Sequence, residues 1–460
     1  MRKLFVSIIL TVALTGITAY AESHQTENNN VADLVKKIFT YSNPSTFSYT
    51  YFNGTRDQTV REVRDPVIIR EGDVYYLIYT HYPFTHSTSR DPSKPDYNSS
   101  PGIKLYKSND LENWEFVNWL VKSSELSEKA AYKHRFWAPE IHKINGRFFL
   151  IFTADNWISD ENNLGGKIGN YEAFIGVADQ ITGPYKNISW LQGGACDTSL
   201  FQDDDGKTYA IMPLGGDQYI QEIDLKDIDK RQIFLRGTRQ KVVSHDYSSI
   251  GKESPHYLEG PWLIKRNGKY YLFSAANYQQ PANPTPGFEY GYWVDAAVAD
   301  NIWGPYEIHP QIFLGGHIGT FIGPDGKEWF SYRGEWRSNP GFGELHIDPV
   351  PLNEDGAVFK TYPTTGKQTI EYWGEEGTGM KPIDSRSDLI FKYHNNSFTI
   401  TSLKDVIQSV AVFNLQGQIM CSATNISQTT FTIPASLASG LYMVKVQRDN
   451  RVDIIKFMNV

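Results

Sequence analysis

"LEGPWLIKRNGKYYLFSA", residues 258–275, holds one acid, Glu259, ahead of a short apolar strand, a turn centred on Gly268 and a second strand rich in aromatics. A carboxylate at the edge of an apolar strand costs free energy unless it is exposed or has a partner. The same layout recurs in "RDPVIIREGDVYYLIYT" (64–80), "APEIHKINGRFFLIFTA" (138–154), "CDTSLFQDDDGKTYAIM" (196–212) and "GHIGTFIGPDGKEWFSY" (316–332). Each unit has a polar anchor, an apolar strand, a Gly turn and an aromatic strand. The anchors are Asp65, Glu140, Asp197, Glu259 and His317.

A Gly-centred hairpin fixes the register of its two strands. The interval is the same from Asp197 to Gly206, Glu259 to Gly268 and His317 to Gly326, and shorter in the first two units. Equal spacing predicts equivalent positions for those three anchors, with a small offset or bulge for Asp65 and Glu140. Further strands close the units at 102–117, 173–188 and 295–308, the last two sharing a Gly-Pro-Tyr turn. No stretch shows a helical period. A repeat of roughly 60 residues in five copies predicts an all-β, five-bladed β-propeller. Neighbouring blades cover both faces of each sheet, which accounts for unalternating runs such as "VYYLIYT". The innermost strands of a propeller line its axis, so the five anchors are expected to meet in one funnel.

The bulk numbers agree. A chain of 460 residues is long enough for two domains. A formal net charge of −8 argues against a nucleic-acid or anionic-membrane partner. Aromatics, at 14%, suit strands and surfaces that stack on sugar rings. Residues 1–21 read as a signal peptide: Arg2 and Lys3, an apolar run from Leu4 to Leu14, then Ala19-Tyr20-Ala21. No later run is apolar enough for a membrane span, so none is expected in the mature protein. Two cysteines, Cys196 and Cys421, make neither a disulfide framework nor a Cys-based zinc site.

Three carboxylates facing one pocket can hold a metal or perform acid–base chemistry. Hydrolysis of a glycosidic bond needs two, one as acid and one as base or nucleophile. A third, nearby, raises the proton affinity of the acid. Taken singly each has a plainer reading: Asp65 as a turn residue before Pro66, Asp197 as one more loop acid, Glu259 as a solvated strand start. Glu140, beside Trp137, reads equally as a rim residue or a substrate contact. His317 reads as a packed histidine or as a ligand, direct or through water, for an ion on the axis. Asp203-Asp204-Asp205-Gly206 lacks EF-hand spacing and reads as a solvated turn.

The motifs "RDPVII", "FWAPEIHKINGRFFLIFTA", "CDTSLFQDDDGKTYAIM", "EGPWLIKRNGKYYLFSA" and "ELHIDPVPLNEDG" together resemble glycoside hydrolase family 43 over roughly residues 55 to 360. The resemblance implies a five-bladed propeller that hydrolyses glycosides with inversion. It implies Asp65 as general base, Asp197 as the residue tuning the acid, and Glu259 as general acid. It matches His317 to a residue that in some members helps to hold a calcium ion; no cofactor is otherwise required. Trp137 and Arg333 are candidate sugar contacts. The chain departs from the family in reading "GHIGT" where "GHxS" is common. The expected activity is of arabinofuranosidase, β-xylosidase or arabinanase type, on pentose-containing plant carbohydrate. The competing readings are a non-catalytic sugar-binding propeller and a retaining fructan-hydrolysing propeller, whose "NDPNG" motif is missing. Exo or endo action turns on whether the loop at 82–101 blocks the funnel.

Residues 22–50 read as a lead-in, 51–360 as the propeller and 361–388 as a polar linker. Residues 389–460 resume short alternating strands and predict a small β-sandwich. A carbohydrate-binding module is one reading. "VAVFNLQGQI", "LASGLYMVKV" and a Lys near the end resemble instead the sorting domain of the type IX secretion system. That resemblance implies the type IX machinery as a partner and a secreted or cell-surface location.

Overall fold

A computed structural model describes residues 34–52, 56–82, 100–127, 130–155, 172–191, 193–278, 292–335, 343–375, 389–394, 397–402, 405–414, 418–435, 437, 440–448 and 451–459. The signal-peptide reading and the funnel loop at 83–99 fall outside them. Among the described residues there are strands and three short 3-10 turns, and no α-helix.

Five antiparallel blades follow one another. Blade one is Glu62–Glu71, Val74–Thr80, Gly102–Ser108 and Glu115–Lys122. Blade two is His134–Ile144, Arg147–Asp155, Glu172–Ala178 and Lys186–Trp190. Blade three is Ser199–Gln202, Thr208–Leu214, Asp217–Asp224 and Phe234–Val243. Blade four is Tyr257–Arg266, Lys269–Asn277, Tyr292–Ala299 and Glu307–Leu314. Blade five has three strands of its own, Gly316–Ile322, Glu328–Glu335 and Gly343–Pro349. The innermost strand of each blade touches that of the next, and blade five touches blade one, so the ring closes.

Packing explains the unalternating strands. Leu77, Ile78 and Tyr79 are all fully buried, because both faces of blade one are covered. One apolar core runs through blades one, two, four and five, a second joins blades two and three, and a third joins three and four. Each large apolar side chain so buried contributes about 1.5–3 kcal/mol.

Closure uses chain from the other end. Glu62 and Val63 pair with Glu344 and Gly343, so the first residues of blade one extend blade five. The lead-in contributes too: Ser45 N donates to Leu345 O at 2.8 Å, and Asn43 exchanges hydrogen bonds with Ile347. "YSNPSTFSY" has no alternation to signal this, yet its buried Tyr41, Phe47 and Tyr49 belong to the propeller. Within the stretch read as a linker, Gly366–Glu375 is a strand paired with Leu34–Asn43, with Lys36 and Glu371 as an ion pair at 2.5 Å. Its alternating "KQTIEYW" was masked by the Gly- and Thr-rich flanks.

The acidic turn of blade three is a clasp. Lys265 of blade four reaches Asp203 at 2.7 Å and Asp204 at 2.8 Å, and the Tyr270 hydroxyl donates to Asp203 at 2.6 Å. A lysine ammonium fills the place a cation would take.

The C-terminal domain is a sandwich. Leu389–His394, Ser397–Ser402 and Thr430–Pro434 form one sheet; Ile407–Asn414, Ile419–Gln428, Gly440–Arg448 and Arg451–Asn459 form the other. Phe398 and Ile400 of the first share a core with Val410, Val412, Val444 and Val446 of the second. Both cysteines are free thiols.

Candidate active site

The true repeat mark is a β-bulge. In blade one, Arg64 faces Thr80 and Val67 faces Ile78, so Asp65 and Pro66 together oppose Tyr79. Ala138-Pro139, Gly260-Pro261 and His317-Ile318 are bulged in the same way against Phe152, Ser274 and Tyr332. The first residue of each bulge is left-handed: Asp65 (φ 50°), Ala138 (43°), Gly260 (49°) and His317 (52°). Asp197 (62°), just ahead of its strand, is the blade-three counterpart. Such backbone is rare for residues with a Cβ and costs of order 1 kcal/mol each. A bulge re-aims side chains, and here it turns them into the mouth of the funnel.

This frame corrects the spacing argument. Asp65, Asp197 and His317 are equivalent, but Glu259 lies one residue before its bulge, alongside Arg64, Trp137, Cys196 and Gly316. Glu140 lies two residues after the first residue of its bulge; Ala138 holds the position expected for it. The intervals from bulge to turn glycine vary, from Asp65 to Gly72 and from Asp197 to Gly206, so aligning on the glycines misplaces two anchors.

Asp65, Asp197, Glu259 and His317 nevertheless converge. His317 Nδ1 lies 3.1 Å from Asp65 Oδ1 and 4.0 Å from Asp197 Oδ2. Two glycines make room. A Cβ on Gly260 would sit 2.9 Å from the His317 ring, and one on Gly316 would sit 1.6 Å from that of Tyr292. The Tyr292 hydroxyl donates to Glu259 Oε1. Thr80 Oγ1 donates to Asp65 Oδ2 at 2.6 Å and accepts the Ala138 N–H at 2.7 Å, tying blade one to blade two. Thr153 Oγ1 accepts the Asp197 N–H at 3.1 Å and ties blade two to blade three.

The electrostatics separate the acids. Burial pushes Asp65 up, but the charge and hydrogen bond of His317, the Thr80 hydroxyl and Arg333 outweigh it and hold this carboxyl well below the usual range. Burial, then the Asp197 charge, push Glu259 up to about 7 against the Tyr292 hydrogen bond. Asp197 is itself raised, by burial and by the charges of Asp65 and Glu140, against the pull of His317. Burial disfavours the His317 imidazolium, yet Asp65 and Asp197 raise it to about 10. The environment thus favours an ionised Asp65 beside a charged His317 and a Glu259 that holds its proton more tightly than a free carboxyl.

Trp137 stands at the position of Glu259 in blade two, opposite Thr153. Arg333, opposite Gly316, lays its guanidinium over the Tyr292 ring, 5.1 Å from the centroid. Glu140 is not at the rim. It is 1% exposed and bonded to His142 Nε2 at 2.6 Å. The His142 ring lies 5.1 Å from that of Trp262, and Trp262 Nε1 donates to Thr320 Oγ1 at 2.8 Å. These contacts link blades two, four and five one step inside the acidic layer. Sequence reasoning missed Tyr292, which no motif marks. It also missed Thr80 and Thr153, although both stand opposite the residue before a bulge.

The donor set does not fit a directly held calcium ion. Calcium takes six to eight oxygen ligands. His317 Nε2, buried without a hydrogen-bond partner, offers one nitrogen. Among the described residues no three His, Cys, Asp or Glu side chains converge as a metal needs.

The sequence profile of glycosyl hydrolases family 43 matches residues 59–358. The chain belongs to this family. Residues 394–459 match the secretion system C-terminal sorting domain, which marks the chain for export. Among curated relatives, family 43 similarity extends to a xylosidase/arabinosidase 43B of Humicola insolens, 29% identical over 54% of this chain and 41% of its own length. It extends also to a xylan 1,3-beta-xylosidase of a Vibrio species (28%, 54% and 41%). An extracellular endo-alpha-(1->5)-L-arabinanase of Thermotoga petrophila is 23% identical over 68% of this chain and 63% of its own length. The chain thus spans about two fifths of the first relatives' length. Of solved structures, the GH43 BlXynB protein of Bacillus licheniformis superposes with a TM-score of 0.52 over 91% of this chain and 89% of its own, at 17% identity. Among the described residues no helix is long and apolar enough to cross a membrane.

Proposed function

We propose that the chain hydrolyses glycosidic bonds of pentose-containing plant polysaccharides or oligosaccharides with inversion at the anomeric carbon. Glu259 gives its proton to the leaving oxygen as the C1–O bond breaks. Asp65 takes a proton from a water whose oxygen bonds to C1 from the opposite face. Asp197 holds the proton on Glu259 until it is needed, and His317 keeps Asp65 ionised. The observation that carries the reading is the convergence of three buried carboxylates on His317, with Asp65 ion-paired to the imidazole at 3.1 Å and Glu259 bonded to the Tyr292 hydroxyl, an arrangement that lowers the proton affinity of Asp65 and raises that of Glu259. Asp65 and Glu259 stand on blades one and four with blade five between them, so they reach the cluster from different sides, and an inverting site needs about 6.5–9.5 Å between its carboxyls to admit the water.

The pentose assignment is supported by relatives named for xylosides, arabinosides and arabinan. The sorting domain supports delivery by a type IX secretion machinery to the cell surface or the medium. Trp137 and Arg333 are proposed sugar contacts. Proton NMR of the first anomer released from an aryl pentoside tests the mechanism. Inversion is expected; retention removes the water-activating role of Asp65, and no release from any pentoside or pentosan removes the hydrolytic reading.

A further inference from the structure

Successive residues of a strand alternate between its faces. Tyr257 therefore points to the same side as Glu259, while Leu258 between them is buried in the core on the other side. Tyr257 is also nearer the strand start, the end at which the four bulges and Asp197 gather. The residue is 37% exposed. Burial and the charges of Glu259 and Asp197, opposed by Arg333, push its hydroxyl up to about 12, so the ring stands within electrostatic reach of the cluster.

Blade three builds the floor beneath it. A Cβ on Gly216 would lie 3.3 Å from Tyr257 Cβ and 3.2 Å from His245 Nδ1, so the base of Tyr257 and the His245 imidazole both border that turn. Leu258 N donates to Gly216 O at 2.9 Å and locks the turn to the strand. His245 is fixed in turn by Asp217, through Nδ1 at 2.6 Å and its backbone N–H at 3.0 Å. The result is a partly exposed tyrosine on a base tied to blade three, with an oriented imidazole at the same turn.

We propose that Tyr257, edged by His245, is the platform for the leaving group: the pentosyl ring on the departing side of the scissile bond. This rests on the hydrolytic reading above, in which Glu259 is the acid. The leaving oxygen must come to Glu259, and the group attached to it then passes over the neighbouring side chain on the same face. A pentopyranose offers C–H faces that pack on an aromatic ring, and its hydroxyls offer partners to the imidazole.

The test compares a pentosyl disaccharide with the pentosyl fluoride of the same sugar. The fluoride carries the same glycone but no ring on the departing side. For Tyr257→Ala, the ratio of kcat/KM on the disaccharide to that on the fluoride is expected to fall roughly tenfold relative to wild type. Tyr257→Phe, which keeps the stacking face, is expected to hold the ratio near that of wild type. Both substrates are read on one preparation, so any misfolded fraction cancels from the ratio. An unchanged ratio in Tyr257→Ala overturns the platform. A wild type inactive on both substrates overturns the hydrolytic reading itself, and a fall in Tyr257→Phe equal to that in Tyr257→Ala moves the role from the ring to the hydroxyl and overturns stacking.

Discussion

Two kinds of buried acid stand side by side in the propeller. Asp295 of blade four accepts the hydroxyls of Tyr247 at 2.9 Å and Tyr278 at 2.6 Å and the Gln311 N–H at 2.7 Å. Asp348 of blade five accepts Tyr332, Tyr41, Asn43 and both donors of Thr364. Neutral donors surround each. The funnel cluster is built the other way: three carboxylates face one another across one imidazole, with the Tyr292, Thr80 and Cys196 side chains as single donors. A buried acid that only holds structure is satisfied by hydroxyls and amides. One that must pass a proton is left among like charges, which set its affinity for that proton.

Removing the proton donor should break the funnel most. Glu259→Gln is expected to lower kcat on a pentosyl disaccharide about a thousandfold. The loss should shrink on an aryl pentoside whose leaving group needs no proton. Asp65→Asn should lose as much on both substrates, because water activation does not depend on the leaving group. Steady-state rates on the two substrates check this. A loss insensitive to the leaving group in Glu259→Gln would put the acid elsewhere.

Asp197→Asn should act through pH. Glu259 is active protonated, with a proton affinity near pH 7 that Asp197 helps to raise. Activity in wild type is therefore expected to fall as pH rises through about 7. Removing the Asp197 charge lowers that midpoint, so the alkaline limb of kcat/KM moves to lower pH. The rate at pH 7 drops on the order of tenfold, with partial recovery on acidification. A limb that stays in place would mean that Asp197 does not tune Glu259.

Much of this was legible. The aromatic second strands and regular turns carried the five blades, because a doubly covered sheet leaves continuous apolar runs in sequence. Asp65, Asp197 and Glu259 could be picked out as acids against apolar strands. What misled was the choice of landmark. Turn glycines end strands whose lengths differ, whereas Asp-Pro, Ala-Pro and Gly-Pro at 65–66, 138–139 and 260–261 each mark a bulge and would have shown Glu140 two places off. Tyr292 and Thr80 act through space on residues far along the chain, and no local pattern signals that. The lead-in residues of blade five pair through irregular backbone, which has no period to read.

The smallest effect belongs to the structural acid. Tyr278→Phe removes one of the three donors to Asp295, an ordinary loss of about 1 kcal/mol. Its pH dependence is the sharper test. Burial raises Asp295 to about 6, above its value in the unfolded chain. A raised carboxyl stabilises the fold while protonated, and that contribution is complete below about 4 and lost as pH rises through about 6. Without the Tyr278 hydroxyl the ionised form has less support, so its affinity for the proton rises and the loss runs on to higher pH. The gap in urea midpoint between variant and wild type is therefore expected to widen from pH 5 to pH 7.5, with turnover of pentosides retained. A gap that narrows with rising pH, or turnover lost along with stability, would erase the distinction between the acid that holds blade four and the acids that serve the funnel.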